Sequence, residues 1–255
     1  MRCDSALEPR FPERGHEVLR SLRNNHFWFS HRRARVVRFA AECLAGRLRP
    51  RVLEFGCGDG HLLDALSRRW WAVGLERRMN DLRLAREAGL TVVLAEGSAP
   101  PFSRSFDLVG LFDVVEHVED DAGLLDQAAN LVAPDGYILL TVPADPRLWS
   151  SLDDYAGHVR RYTRKMVLDL FARAGLVPGV VMPIFRVLWP LGWLRTLFVG
   201  RRPVTEPESE YRISALANPP LRALLALERG LLSDSQRGVG TSWLASARLP
   251  ESARR

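Results

Sequence analysis

The chain has 255 residues, 47% hydrophobic and 26% charged, enough apolar material for one large α/β core and too ordinary a charge content for wholesale disorder. Its formal charge of +6 is carried by arginine, with Lys165 the single lysine; the arginines are scattered and form no long basic run, so no nucleic-acid partner is expected. The three cysteines, Cys3, Cys43 and Cys57, make no Cys-x-x-Cys pair, which argues against a disulfide framework or structural zinc and fits a reducing cytoplasm.

Residues 1–15 are polar, with no apolar stretch of the signal-peptide kind, and read as a loose lead-in. Helix spacing of Val36, Val37, Ala40, Ala41 and Leu44 predicts a helix from about Glu17 to Arg47, with arginines on its other face. Inside it sits His26-Phe27-Trp28-Phe29, either an anchor for the helix or the roof of a substrate pocket. From Arg51 onward, short apolar runs alternate with helical segments. Strands are predicted at Val52–Phe55, Trp71–Leu75, Thr91–Ala95, Phe106–Phe112, Tyr137–Val142 and Leu176–Met182. Helices are predicted at His61–Arg69, Met79–Ala88, Asp121–Val132 and Arg164–Ala174, the third stopped by Pro134-Asp135-Gly136. Continuous apolar strands between helices imply a doubly wound, mostly parallel sheet covered on both faces.

After Met182 the rhythm breaks. Residues 183–199 are apolar and Trp-rich, 200–220 read as an exposed linker, Leu221–Leu232 as a helix, and Thr241–Ala247 as a seventh strand. The expected organisation is an N-terminal helical cap (1–48), a cofactor-binding core (49–182), a helical insertion before the last strand (183–235) and a final strand with tail (236–255). Val180–Gly200 carries Pro183, Pro190, Arg186 and Arg195 and makes a poor membrane-spanning helix. Trp189, Trp193 and the leucines around them suit a lid, a homodimer face, or peripheral contact with the inner face of the membrane.

The chemistry is concentrated at residues 51–60, Arg-Val-Leu-Glu-Phe-Gly-Cys-Gly-Asp-Gly. Gly56, Gly58 and Gly60 allow a sharp turn and close approach of a ligand, and the following helix aims its N-terminal amides at it. Glu54 can accept from an ammonium group, and Glu76, at the end of the next strand, from two ribose hydroxyls. A dinucleotide wants Gly-x-Gly-x-x-Gly and room for a pyrophosphate. Here Glu54 and Asp59 would repel a pyrophosphate, whereas a cofactor cationic at sulfur and bearing an ammonium is attracted.

The run Val-Leu-Glu-Phe-Gly-Cys-Gly-Asp-Gly resembles motif I of the class I S-adenosylmethionine-dependent methyltransferases. Later segments match in order: Val-Gly-Leu-Glu76; Glu96-Gly-Ser-Ala-Pro-Pro-Phe102; Phe106 through Val118 with its Glu-His signature; and Ala133-Pro-Asp-Gly through Pro143. The likeness covers about 50–180 and is greatest to the ubiquinone-type, small-molecule subgroup. It implies a Rossmann-like methyltransferase fold with S-adenosylmethionine as cofactor. Glu54, Gly56 and Gly58 would hold its methionine part, Glu76 its ribose, and Ser98 and Ala99 its adenine, while Phe112 and Asp113 would line it near the methyl group. Ser98 stands where the family often has Asp, and a hydroxyl accepts more weakly than a carboxylate; Glu96 or backbone contacts would compensate.

Asp113, Glu116 and His117 have the i, i+3, i+4 spacing of a metal face, but no second ligand cluster accompanies them in the sequence and no metal is expected. His117 is a general base, a substrate contact or a packed neighbour of the cofactor. Asp153-Asp-Tyr-Ala-Gly-His-Val-Arg-Arg-Tyr162 follows the fifth strand on the cofactor edge, and similar Gly-His-x-Arg-Arg-Tyr stretches occur in a subset of these methyltransferases. His158 there suits proton transfer, and Arg160, Arg161 and Tyr162 suit an anionic acceptor, unless they are a solvated helix entry. The expected function is methyl transfer to a small-molecule, lipid or glycan-type acceptor, with oxygen favoured. A non-catalytic scaffold or membrane-docking module and a nicotinamide oxidoreductase are the alternatives.

Overall fold

A computed structural model describes residues 13–95, 102–198, 214, 216–231 and 235–253. Seven strands form one sheet: β1 (Arg51–Phe55), β2 (Trp71–Glu76), β3 (Val92–Leu94), β4 (Phe106–Phe112), β5 (Val132–Pro143), β6 (Val177–Ile184) and β7 (Ser242–Arg248). Their order is β3-β2-β1-β4-β5-β7-β6. β1 to β5 pair in parallel, and β7 runs antiparallel between β5 and β6. The order reverses between β1 and β4, so the carboxyl ends of those two strands open the crevice in which such sheets bind ligands.

Helices α1 (Glu13–Leu22), α2 (Phe27–Cys43), α3 (His61–Ser67), α4 (Met79–Glu87), α5 (Asp121–Ala129), α6 (Ser151–Ala156), α7 (Arg164–Arg173), α8 (Trp189–Phe198) and α9 (Asn218–Leu231) complete the described elements. Successive strand residues point to opposite faces, which gives two apolar layers. Leu53, Val109, Leu125 and Phe171 pack on one face. Val52, Leu108, Leu63 and Val36 pack on the other. Removing any such fully buried leucine side chain to alanine costs about 2–5 kcal/mol.

The predicted N-terminal helix is two helices. The Asn24-Asn25 pair favours a turn over a helix interior, and the amides of Asn25 and His26 close back on the Leu22 carbonyl. His26 is extended and its Nδ1 accepts the Trp28 amide at 3.2 Å, starting α2 inside the aromatic segment. The third helix of the core ends at Ala129, and Val132 already belongs to β5. Pro134-Asp135-Gly136 therefore lies within that strand, where the register against β4 jumps from Phe106↔Val132 to Leu108↔Tyr137. Helix α6, in what the sequence reads as a loop, and the earlier start of α9 at Asn218 are further differences. Pro219 and Pro220 explain the latter, because proline suits a helix's first turn. Pro178 and Pro183 are tolerated in β6 because it is an edge strand.

The second helix of the insertion is tied to the N-terminal helices. The Asn218 side chain accepts the Phe27 amide at 2.9 Å and donates to the Asn25 carbonyl at 2.7 Å. Buried His31 faces Glu228 at 3.5 Å. The sequence places cap and insertion far apart, and α2 and α9 bring them together beside the cofactor edge.

Candidate cofactor and acceptor site

Glu54, next to last in β1, is only 4% exposed, and its Oε2 has no hydrogen-bond partner among the described residues. Burial pushes its pKa up to about 8, against the pull of Arg32 and Arg23. A buried carboxyl group with an unsatisfied oxygen is expensive, and an ammonium would satisfy it. The chain then turns through Gly56 at φ 73° and Gly58 at φ 56°, in the left-handed region that favours glycine. A Cβ on Gly56 would stand 2.9 Å from Val114 Cγ2, whereas one on Gly58 would meet nothing within 4 Å. The orphaned Glu54 oxygen and this open cradle fit the methionine part of S-adenosylmethionine.

Glu76 closes the loop from the neighbouring strand. Its Oε2 accepts the Gly58 amide at 2.8 Å, and its Oε1 accepts those of Arg77 and Arg78 at 2.8 Å each. Burial still pushes its pKa up, against those three amides. Each oxygen keeps lone-pair capacity for a ribose hydroxyl. Ser98, Ala99 and Glu96, the expected adenine side, lie outside the described residues.

The sequence gives no role to the arginines that α1, α2 and their connecting turn lay over this loop. Arg20 pairs with Asp59 and Asp81 at 3.6 Å each, and Arg23 with Asp59. Arg32 pairs with Asp113 and also feels Glu54 and Glu116, so the cofactor loop and the acceptor side share one guanidinium. For Arg32, the signal available in the sequence is the unassigned pair Arg32-Arg33, three positions beyond the aromatic segment.

The aromatic segment faces two ways. Trp28 stacks on Phe185 at 3.8 Å and anchors α2. Phe29 turns toward the glycine loop, edge-on to His61 at 6.3 Å and beneath Arg32 at 5.9 Å. Phe112 is buried in the core layer that contains Phe27 and Val36, and its ring covers Gly110, where a Cβ would come within 2.3 Å. Asp113 adopts φ 57°, an uncommon conformation for a non-glycine residue. Its carboxylate is held by the Thr141 hydroxyl at 2.7 Å and by Arg32.

Beyond β4, the Glu116 carboxyl is buried, its Oε2 without a hydrogen-bond partner among the described residues, and burial pushes its pKa up to about 8. The Val159 amide donates to its carbonyl at 2.7 Å, pinning the two histidine segments together. His117 and His158 meet edge to face at 4.9 Å. Donor atoms of Glu116, His117 and His158 all lie within 4.8 Å of one another. A cation would therefore recruit His158 from 41 positions away, and Asp113 stands outside that group.

The three residues expected to meet an anionic acceptor are engaged within the chain, Arg160 and Arg161 half-buried and Tyr162 buried. Tyr162 is 1% exposed and its hydroxyl donates to Asp121 at 3.2 Å. Arg160 pairs with Asp121 at 2.6 Å and donates to the Glu119 carbonyl at 2.9 Å. Arg161 donates to Asp153 at 2.8 Å and to the Ala144 carbonyl at 3.0 Å. These residues hold the loop after β5 to the core, a task that their charge alone does not reveal.

A glycine turn at the switch point between β1 and β4, flanked by the buried carboxyl groups of Glu54 and Glu76, has the form of a nucleoside-cofactor site. The family profile described as methyltransferase domain matches residues 28–178, more than half of the chain, and the chain belongs to that family. It is 32% identical over 131 residues to a ubiquinone biosynthesis O-methyltransferase of Neisseria meningitidis serogroup C, covering 47% of this chain and 55% of that one. It is 30% identical over 146 residues to a probable S-adenosylmethionine-dependent methyltransferase of Mycolicibacterium smegmatis, covering 55% of this chain and 54% of that one. The chain thus spans about half the length of these curated relatives.

Among solved structures, a possible histamine N-methyltransferase from Thermotoga maritima superposes with TM-score 0.54 at 16% identity, over 92% of this chain and 100% of that one. A geranyl diphosphate C-methyltransferase from Streptomyces coelicolor, solved with Mg2+, geranyl diphosphate and S-adenosyl-L-homocysteine, gives TM-score 0.54 at 15% identity, over 85% and 77%. At those identities the likeness is one of fold. S-adenosylmethionine is the family's cofactor, and the residues around Glu54 fit it.

Proposed function

We propose that this chain transfers a methyl group from S-adenosylmethionine to a hydroxyl of a small, lipid- or glycan-type acceptor. The observation that carries the reading is the placement of the unpartnered Glu54 and the His117–His158 pair on one sheet edge, with Arg32 interacting with both sides. When bound, S-adenosylmethionine supplies a methyl already activated by its sulfonium, so the carbon–oxygen bond forms as the carbon–sulfur bond breaks. Glu54, Gly56 and Gly58 hold its amino-acid end, Glu76 its ribose, and Arg32 and Arg23 its carboxylate. Ser98 and Ala99 remain the residues proposed to flank the adenine, and Phe112 and Asp113 the wall beside the methyl group.

The chain's own work is to orient the acceptor, exclude water and take up the hydroxyl proton. His158 is proposed as the base, with His117 beside it. Phe29 and the ion pairs of Arg20, Arg23 and Arg32 are proposed to exclude water there. An oxygen acceptor also agrees with the name of the Neisseria relative. Calorimetry is expected to show S-adenosylmethionine binding in the micromolar range, and its absence refutes the reading. His158→Gln is expected to keep that affinity while methyl transfer to a panel of phenolic and lipid hydroxyls falls about 100-fold or more.

The lipid-like side of the acceptor class is supported by α8. None of its residues is buried, and Leu191, Leu197 and Phe198 are more than half exposed. Trp189 hydrogen-bonds Asp145 at 2.9 Å, beside the loop that carries Tyr162. Among the described residues, no helix is long and apolar enough to cross a membrane; the exposed apolar side chains of α8 suit peripheral contact. Co-sedimentation with anionic vesicles is expected for the wild-type chain and lost in Leu197→Glu/Phe198→Glu. Equal sedimentation of both, or a concentration-dependent dimer abolished by the same change, assigns the face elsewhere.

A further inference from the structure

One buried carboxylate on the acceptor side has no part in the reading above. Asp153 is 1% exposed and collects donors on both oxygens. His158 Nδ1 and Arg161 Nε reach its Oδ1 at 2.8 Å each. The Ser150 amide and hydroxyl reach its Oδ2 at 2.8 and 3.2 Å. Burial alone would push this carboxyl group up, but His158 and Arg161 hold it below the ordinary range. An ionised carboxylate accepts only, so the His158 nitrogen facing it must carry the proton.

Capping α6 requires only the Ser150–Asp153 contacts. The rest of the arrangement reaches past the helix. Gly157, at φ 68° in the left-handed region, turns the chain so that the His158 amide returns to the Asp153 carbonyl at 2.9 Å. His158 is thereby tied to one residue through both its main chain and its ring. The groups facing it are Asp153 from α6, Arg161 from the segment before α7, and Glu116 and His117 from the turn after β4.

We propose that Asp153 is a positioning residue: it fixes His158 as the Nδ1–H tautomer and leaves Nε2 as the nitrogen that takes the proton of the acceptor hydroxyl. This rests on the assignment of His158 as the base. The same carboxylate also holds Arg161, so the proton acceptor and the loop that carries it are set by one group.

The test is nitrogen NMR on the full chain labelled at its six histidines, with His158 assigned by comparison with His158→Gln. The wild-type chain should show His158 protonated at Nδ1 and bare at Nε2, and Asp153→Asn should lose that single tautomer. Ser150→Ala, which weakens the cap but leaves the carboxylate, should lower Tm and keep the tautomer. With tritiated S-adenosylmethionine and catechol as the hydroxyl probe, Asp153→Asn should lose about 100-fold or more in kcat with KM and cofactor affinity little changed. A wild-type His158 protonated at Nε2, a tautomer indifferent to Asp153→Asn, an undiminished kcat in that variant, or a tautomer that changes on dialysis against a chelator overturns the proposal. Failure to bind S-adenosylmethionine would refute the methyltransferase reading instead, with the tautomer still deciding the role of Asp153. Binding without turnover of catechol likewise leaves that decision to the tautomer.

Discussion

Glu54→Gln is expected to lower the affinity for S-adenosylmethionine by about 100-fold or more, because a buried ammonium–carboxylate pair that loses one charge leaves the other uncompensated. The same change should stabilise the cofactor-free protein. Burial raises the Glu54 pKa from 4.5 to about 8. Between those values the folded chain binds a proton that the unfolded chain does not, so stability falls as pH rises through that window and is lowest above it. Glutamine has no charge to desolvate, so the variant's gain in Tm should be largest at about pH 8 and above, and small near pH 5.

Binding itself should depend on pH in a bell. Below about 8 the Glu54 carboxyl must release a proton before it can pair, and above about 8 the free cofactor's amino group has lost its own. Affinity should therefore peak near pH 8 and weaken by up to about tenfold per unit on the acid side. The glutamine variant should lose that acid limb. Calorimetry in buffers of different ionisation enthalpy should show proton release on binding near pH 6 for the wild-type chain alone. Unchanged affinity in Glu54→Gln, or a flat pH dependence in the wild-type chain, excludes Glu54 as the ammonium acceptor.

The cofactor half of this site was legible because its signals are local. Glu54 and the glycines sit within seven consecutive positions, and Glu76 ends the next strand. Short apolar strands broken by helices show the sheet for the same reason. What stayed hidden depends on distant partners. Nothing in the sequence near Tyr162 shows that its hydroxyl finds Asp121 at the start of α5. The role of Arg32 depends on α2 lying across the carboxyl ends of β1 and β4, which no periodicity specifies. The helical period of 17–47 is insensitive to the break at Arg23–His26, because four residues are close to one helical turn and leave the apolar spacing on either side nearly in phase. The Pro134-Asp135-Gly136 stop was misplaced because a turn signal inside a long strand, absorbed as a register jump against β4, looks the same as one that ends a helix.

The role of Arg160 and Tyr162 is decided at Asp121. That carboxylate is 2% exposed, accepts the Tyr162 hydroxyl at 3.2 Å, and pairs with Arg160 at 2.6 Å and Arg173 at 2.8 Å. Asp121→Ala leaves a buried phenol without an acceptor and removes the anchor of Arg160, and should cost about 3 kcal/mol. More than half of the Arg173 side chain is exposed, so its pair should contribute little of that. Tyr162→Phe in the Asp121→Ala background should recover about 1–2 kcal/mol, because no unsatisfied hydroxyl is then buried. Denaturant unfolding of the single and double variants measures this coupling. If Asp121→Ala unfolds like the wild-type chain while acceptor KM rises, then Arg160 and Tyr162 face the acceptor after all. A large stability loss with coupling between Asp121 and Tyr162 makes these residues the clamp that holds the loop after β5, and with it His158, against the sheet.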